Sequence, residues 1–256
     1  MSAPLLAAKL RIPPSRPDWM ERGRLEQRLD ALLSPGYKLG LVCAPAGYGK
    51  TTLLSRWLKQ KSLRVCWISL EPGDNDPGLF FANLSAGLGR AWPEQAALFQ
   101  SIGQGAVLDP HAAIAGILAL LEELSERLWI VLDDYHFISA LGVQELMAYF
   151  LENLPEMVRL ILLTRSDPPL ALPRLRARNQ MLELRAQDLR FNQPEMAAFF
   201  QQVMGLDLPE PDLSVLEART EGWPAGLQMA GISMQGLNTS RLRCRTFCLK
   251  QPCWND

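Results

Sequence analysis

Lys50 and Thr51, preceded by Gly47 and Gly49, are the residues of this chain whose types and spacing suit a polyphosphate. They sit in Ala44-Pro45-Ala46-Gly47-Tyr48-Gly49-Lys50-Thr51-Thr52, which follows the pattern G-x-x-x-x-G-K-[ST] except that Ala44 replaces the first glycine. Gly47 and Gly49 let backbone N–H groups turn toward a phosphate with no Cβ in the way. A helix starting at Lys50 would add partial positive charge at the same point. The ammonium of Lys50 suits the β- and γ-phosphates, and the hydroxyl of Thr51 suits Mg²⁺. Ala46 to Thr52 is therefore the expected phosphate cradle. Ala44 ends a strand and need not touch phosphate, so its departure from the pattern costs little.

A second constellation lies downstream. Leu128-Trp129-Ile130-Val131-Leu132 is a buried-strand pattern that ends in Asp133 and Asp134. A carboxylate at a strand end can hold a Mg²⁺ water shell opposite Thr51, a role that suits Asp133. Asp134 is expected to orient or deprotonate an attacking water. The next apolar run, Arg159 to Thr164, is followed by Arg165. Strand C-terminal ends in a parallel sheet face the ligand crevice, so Arg165 is a candidate γ-phosphate sensor. Asp74 and Asp76 read as turn and N-cap residues rather than metal ligands. His111 and His136 have no Cys or His partner at ligand spacing and are not read as metal ligands.

These side chains need elements to position them. Leu39 to Ala44 is a strand feeding the loop, and Leu53 to about Lys61 continues as a helix. Upstream, Glu21 to Leu33 carries Leu25, Leu29, Leu32 and Leu33 at helical spacing, and Pro35-Gly36 ends it. Arg64 to Leu70 is a second strand. Asp76 and Pro77 open a helix carrying Leu79, Phe80, Leu84 and Leu88. Trp92 to Asp109 reads as a loop with a short helix, and Pro110 to Glu126 as a strong helix. Val143 to Leu154 is helical, and Met181 to Leu184 is a last short strand. From Gln193 onward the pattern is helical only: Pro194 to Val203, Leu213 to Thr220, and Leu227 to Met234 after an interruption at Gly222-Trp223-Pro224-Ala225-Gly226.

Continuous apolar strands alternating with helices predict an α/β fold: a parallel sheet covered by helices on both faces, followed by a partial helical lid domain. The expected divisions are a lead-in and helix over 1–36, the phosphate-loop domain over 37–188, the lid over 189–236 and a tail over 237–256. The chain has 256 residues, nearly half of them hydrophobic, and a formal net charge of −1. That balance argues against strong non-specific DNA binding by this chain alone. No signal-peptide pattern and no bilayer-length apolar run is present, which implies a cytoplasmic protein. Cys43 and Cys66 fall inside predicted strands and are expected to be buried free thiols.

The order of phosphate loop, Asp-Asp strand, Thr-Arg strand and helical lid resembles the STAND class of signalling ATPases. More specifically, the chain is similar to the N-terminal module of MalT-type LuxR-family transcriptional activators. The residues that carry this are Lys9-Leu10 with Pro13-Pro14, Arg22 with Arg24-Leu25, Cys43 to Thr52, Trp67 to Leu70 with Gly73-Asp74-Asn75-Asp76-Pro77, Leu132 to His136, Leu163 to Pro169, Leu189-Arg190-Phe191, and Glu221 to Gln228. The resemblance implies ATP and ADP as ligands with Mg²⁺, an ADP form that is closed and monomeric, an ATP form that self-associates, and slow hydrolysis that resets the switch. It also implies Pro224 near the nucleotide from the lid side and Arg22 from the N-terminal side.

Full-length members of that class bind DNA through further domains that do not fit here, so no direct DNA binding is expected of this chain. Two other readings use the same loop. A phosphotransferase would need several arginines over the phosphates, for which Arg174, Arg176 and Arg178 are a candidate cluster. A non-hydrolysing scaffold would bind nucleotide without switching. A GTPase is disfavoured because no Asn-Lys-x-Asp motif occurs. After Gly236 the composition shifts, and Cys244, Cys248 and Cys253 mix with Arg241, Arg243, Arg245 and Lys250 without periodicity. This ending is expected to be non-native, from a truncated or frame-shifted gene.

Overall fold

The computed structural model describes residues 8–14 and 20–238. The three late cysteines and the rest of the expected non-native ending, from residue 239 on, lie outside the described residues. The described chain forms two compact units. One comprises residues 8–14, 23–46 and 50–188, and the other residues 20–22, 47–49 and 189–238.

The first unit is built on five parallel strands: β1 (Leu39–Cys43), β2 (Arg64–Ser69), β3 (Leu128–Asp133), β4 (Val158–Thr164) and β5 (Met181–Arg185). Their order across the sheet is β2-β3-β4-β1-β5. Every residue of β1, β3 and β4 is buried, so both faces of the central sheet are covered, as their mainly apolar runs require. β4 lies between β1 and β3, with Cys43 opposite Thr164 and Leu132 opposite Leu162. The C-terminal ends of β1, β4 and β3 thus emerge side by side, bringing the segments after Cys43, Thr164 and Leu132 to one edge.

The helices of this unit are α1 (Gly23–Asp30), α2 (Lys50–Gln60), α3 (Pro77–Ala91), α4 (Ala96–Ala106), α5 (Pro110–Glu122), α6 (Leu141–Glu152) and α7 (Leu172–Ala177). α3 starts as the sequence dictates: Asp76 accepts from the Leu79 N–H at 2.7 Å, with Pro77 in the first helical position. α5 has the same start, with Asp109 accepting from Ala112 at 3.0 Å. One element differs from expectation. Ala96–Ala106 is a full helix of 11 residues rather than a loop with a short helix. Its Gly103 and Gly105 and its polar residues weaken the local signal. Tertiary packing supplies what propensity lacks. Phe99 is fully buried, and α4 comes so near α3 that a Cβ on Gly103 would lie 3.1 Å from the Ser85 Cβ.

The second unit has its own core of Met20, Phe191, Met196, Phe199, Phe200, Met204, Leu213, Leu216 and Leu227. Its helices are α8 (Gln193–Ala198), α9 (Glu210–Thr220) and α10 (Pro224–Asn238), with a wide π turn at Phe199–Val203. α8 opens with a capping box in which Asn192 accepts from the Glu195 N–H and Glu195 from the Asn192 N–H. α10 starts at Pro224, three residues before the expected Leu227, because Pro224 takes the first helical position, where no N–H is needed.

Candidate functional site

Leaving β1, the chain turns through the phosphate loop into α2. Gly47 and Gly49 both have positive φ, +79° and +76°, the backbone region that glycine adopts without strain. Ala44 is buried and its N–H donates to the Thr164 carbonyl at 3.2 Å. Its side chain takes no part in the loop, which is why alanine is acceptable there. The Lys50 ammonium donates to the carbonyls of Ala44 at 2.7 Å and Pro45 at 3.0 Å, holding it across the root of the loop. Burial pulls the Lys50 pKa down, and the Asp134 carboxylate pushes it back up.

Thr51 stands in the first turn of α2, and its hydroxyl lies 3.1 and 3.0 Å from the two oxygens of Asp133 at the end of β3. This is an oxygen-only pair of hydroxyl and carboxylate, a donor chemistry suited to a hard cation such as Mg²⁺ with phosphate and water completing the shell. Among the described residues no group of three or more His, Cys, Asp or Glu side chains could hold a metal. Asp133 is raised to about 6, chiefly by burial and then by the neighbouring Asp134 carboxylate, while the Thr51 hydroxyl pulls the other way.

Asp134 adopts a left-handed backbone, φ 57° and ψ 39°, uncommon for a residue with a side chain. This turn lifts its carboxylate to a partly exposed position and starts the short helical turn Tyr135–Phe137. His136 Nδ1 then lies 3.7 Å from Asp134 Oδ1. Both ring nitrogens of His136 are buried with no hydrogen-bond partner. Burial, then the Arg165 guanidinium, hold the imidazole below its usual pKa, against the pull of Asp134. Arg165 is exposed at the end of β4. It also depresses Lys50, so the first unit gathers Lys50, Thr51, Asp133, Asp134, His136 and Arg165 in one electrostatic neighbourhood.

Sequence reasoning named five of those six. It set His136 aside as a metal ligand and gave it no other role. The available signal was its place two residues beyond Asp134, but only the left-handed turn at Asp134 shows that such spacing brings the two side chains together.

In the second unit, the Ala225 N–H, at the second position of α10, donates to the Gly47 carbonyl at 3.1 Å. A Cβ on Gly47 would lie 2.7 Å from the Ala225 Cβ and 2.9 Å from Trp223 Nε1. Pro224 is buried at the start of this helix. Arg22 donates to the Leu189 and Arg190 carbonyls, each at 3.0 Å, and pairs with Glu195 at 3.1 Å. Its guanidinium lies 4.4 Å from the Phe191 ring centroid. Of the arginine cluster considered for a phosphotransferase, Arg174 pairs with Glu152 at 2.6 Å and Arg176 with Glu183 at 2.5 Å.

Sheet order, loop and acidic strand end define the P-loop ATPase fold. Solved structures agree. Cdc6p from Pyrobaculum aerophilum is similar with a TM-score of 0.52 and 16% identity, over 89% of this chain and 65% of that one. The Orc1 protein of Aeropyrum pernix, solved in complex with DNA, is similar with a TM-score of 0.51 and 18% identity, over 88% and 63%. At such identities the likeness speaks for the fold alone.

In sequence the chain is similar to MalT, the HTH-type transcriptional regulator. It is 36% identical to that of Yersinia enterocolitica over 240 residues, 92% of this chain and 26% of the relative. It is 37% identical to that of Serratia proteamaculans over 232 residues, 88% and 25%. The chain thus spans about a quarter of the length of the curated relatives it matches. No family model matches it. Among the described residues no helix is long and apolar enough to cross a membrane.

Proposed function

We propose that this chain is the ATP- and ADP-binding switch module of a MalT-like regulator of transcription, of the STAND type, acting in the cytoplasm. Its phosphate cradle is Ala46 to Thr52, with Mg²⁺ held by Thr51 and by Asp133, directly or through water. The observation that carries this reading is the Thr51 hydroxyl at 3.0–3.1 Å from both Asp133 oxygens, at the start of the helix that follows two positive-φ glycines. A metal held by these residues would supply positive charge to offset that of the phosphates.

The chain's own groups supply the rest of a slow hydrolysis. Lys50 and Arg165 offset charge on the γ-phosphate. Asp134 orients the attacking water and takes a proton from it, with His136 Nδ1 3.7 Å from that carboxylate. Water attacks the γ-phosphorus as the bond to the β–γ bridging oxygen breaks; ADP and inorganic phosphate are released, and the proton taken by Asp134 passes to the phosphate or to solvent. Arg22 and Pro224 are assigned to nucleotide binding from the second unit. The ATP form is assigned to self-association, and DNA contact to parts of the regulator other than this chain.

Arg174 and Arg176 are ion-paired to glutamates, which disfavours the phosphotransferase reading. Titration calorimetry with Mg-ATP and Mg-ADP, repeated on Lys50→Ala, tests the proposal. Loss of the ammonium is expected to weaken binding by about 1.5–3 kcal/mol, the scale of a hydrogen bond to a charged group. A wild-type chain that binds neither nucleotide overturns it.

A further inference from the structure

Asn75, in the turn after β2, is joined to the loop that follows the acidic pair by its whole amide. Its Nδ2 donates to the Phe137 carbonyl at 2.7 Å and to the Pro72 carbonyl at 3.0 Å. Its Oδ1 accepts from the N–H groups of Ser139 at 2.7 Å and Ala140 at 2.8 Å. One side chain thus satisfies a carbonyl and two consecutive amides of a segment that starts one residue after His136. That segment has little regular structure of its own, since the turn Tyr135–Phe137 is followed by α6 only at Leu141.

Asn75 is itself held. The turn Pro72–Asn75 is closed by Asp74, which accepts from the Glu71 N–H at 2.8 Å. Asp74 is fully buried, and its carboxylate takes the Lys9 ammonium at 2.6 and 2.5 Å and the Asn83 amide at 2.9 Å. Lys9 is buried too, and the adjacent Leu10 enters the main core. A buried, fully paired charge of this kind has one low-energy arrangement, because breaking it strands a charge away from water. Rigidity therefore runs from Lys9 through Asp74 to Asn75, and from Asn75 to the segment 137–140.

We infer that Asn75 is a positioning residue for the nucleotide chemistry: it fixes the loop that aims His136 at Asp134, and the Lys9–Asp74 pair fixes Asn75. This rests on the functional reading above. His136 needs such support because neither of its ring nitrogens has a hydrogen-bond partner, and its ring packs 4.4 Å from the ring of Phe137, which lies in the segment that Asn75 holds. The side chains of the phosphate cradle have no bond to Asn75, so the inference separates rate from affinity.

The chain has only two histidines, so ring spectra of histidine-labelled protein, with His111→Gln as reference, report His136 directly. In Asn75→Ala the His136 ring resonances are expected to move. Single-turnover hydrolysis of bound ATP is expected to fall roughly tenfold to a hundredfold, as small misplacements of a reacting group do, with nucleotide affinity changed by less than about threefold. Asn75→Asp keeps the oxygen that accepts from Ser139 and Ala140 but loses the donor, and is expected to fall between wild type and Asn75→Ala in both measurements. His136 resonances that stay in place overturn the inference. So does a moved ring with unchanged turnover, or an equal loss of affinity and rate. A wild-type chain that binds no nucleotide is a different failure, that of the functional reading.

Discussion

The hydroxyl of Thr51, at the start of a helix, reaches both carboxylate oxygens of Asp133, 82 positions along the chain on a strand two places away in the sheet. Nothing local links these residues. They meet because parallel strands β1 and β3 flank β4 and end on one edge. If this contact marks a cation seat, its two halves differ in what they contribute. Asp133→Asn keeps a hydrogen-bonding partner for Thr51 but removes the charge that attracts a divalent cation. It is expected to abolish most of the gain in nucleotide affinity that Mg²⁺ gives and to leave metal-free binding within about threefold, since a neutral amide still forms an ordinary hydrogen bond. Paired titrations with Mg²⁺ and with a chelator check this.

The same carboxyl group makes the free chain's stability depend on pH. Asp133 rises from an ordinary 3.8 to about 6 on folding, because burial and the Asp134 charge favour the neutral acid. Between these values the folded chain keeps a proton that the unfolded chain has released. Stability contributed by this group is therefore full below about pH 4, falls as pH climbs to about 6, and is level above. The loss is on the order of 2–3 kcal/mol. Asp30, Asp167 and Glu183 are lowered by their partners and slope the other way at lower pH. The informative quantity is the difference between wild type and Asp133→Asn. Denaturant melts without nucleotide at pH 4.5 and pH 7.5 are expected to show the Asp133→Asn variant gaining on the wild type at the higher pH.

Asp134 and His136 are expected to matter for turnover and not for binding. Neither residue belongs to the proposed cradle, Ala46 to Thr52, and Asp134 is partly exposed and turned by its left-handed backbone. Asp134→Asn and His136→Ala should retain ATP with little change in Kd. Each should slow single-turnover hydrolysis by roughly 10²–10⁴-fold and 10–10²-fold respectively, the range seen when a group that handles a proton, or one that supports it, is removed. If both variants hydrolyse ATP as wild type does, Asp134 and His136 have no part in turnover.

Much of this arrangement was legible in the residues. The phosphate loop declared itself through two glycines, a lysine and a threonine at fixed spacing. β1, β3 and β4 declared themselves because strands buried on both faces need mainly apolar runs. Cys43 and Cys66, inside β1 and β2, read correctly as buried free thiols. Three features were not legible. α4 has only a thin apolar line, Phe99, Ile102 and Ala106, interrupted by Gly103 and Gly105, and it approaches α3 closely through small residues. His136 depends on the backbone sign at Asp134. Asn75 and Asp74 looked like ordinary turn residues, because the partners that give them meaning, Lys9, Asn83 and the segment 137–140, are close only in the folded chain.

Gly47 is constrained twice. Its φ of +79° disfavours any Cβ, and a Cβ there would press on Ala225 and Trp223 at under 3 Å. Gly47→Ala should therefore destabilise the second unit by about 1–3 kcal/mol from backbone strain, with more from the displaced α10 start. The matched change Gly205→Ala has positive φ but open space around it, and should show the backbone part only. Comparing thermal melts of the two variants separates strain from steric contact.

Arg22 decides between two roles. The resemblance assigns it to nucleotide, whereas it donates to the carbonyls of Leu189 and Arg190 and to the Glu195 carboxylate, which also caps α8. A side chain that satisfies two carbonyls and a buried carboxylate should be costly to remove. Arg22→Ala removes the cation from this largely buried pair, a loss of about 3–5 kcal/mol by analogy with other broken buried pairs. Arg22→Lys restores charge but not the fork that reaches three acceptors, and should recover less than half of that loss. If the role is structural, both variants melt earlier while the folded protein binds ADP with wild-type affinity. If Arg22 also serves the nucleotide, ADP affinity falls in Arg22→Lys under conditions where the chain is still fully folded, and the fall is larger for ATP because of its extra charge. Calorimetry well below the melting temperature of Arg22→Lys distinguishes the two outcomes.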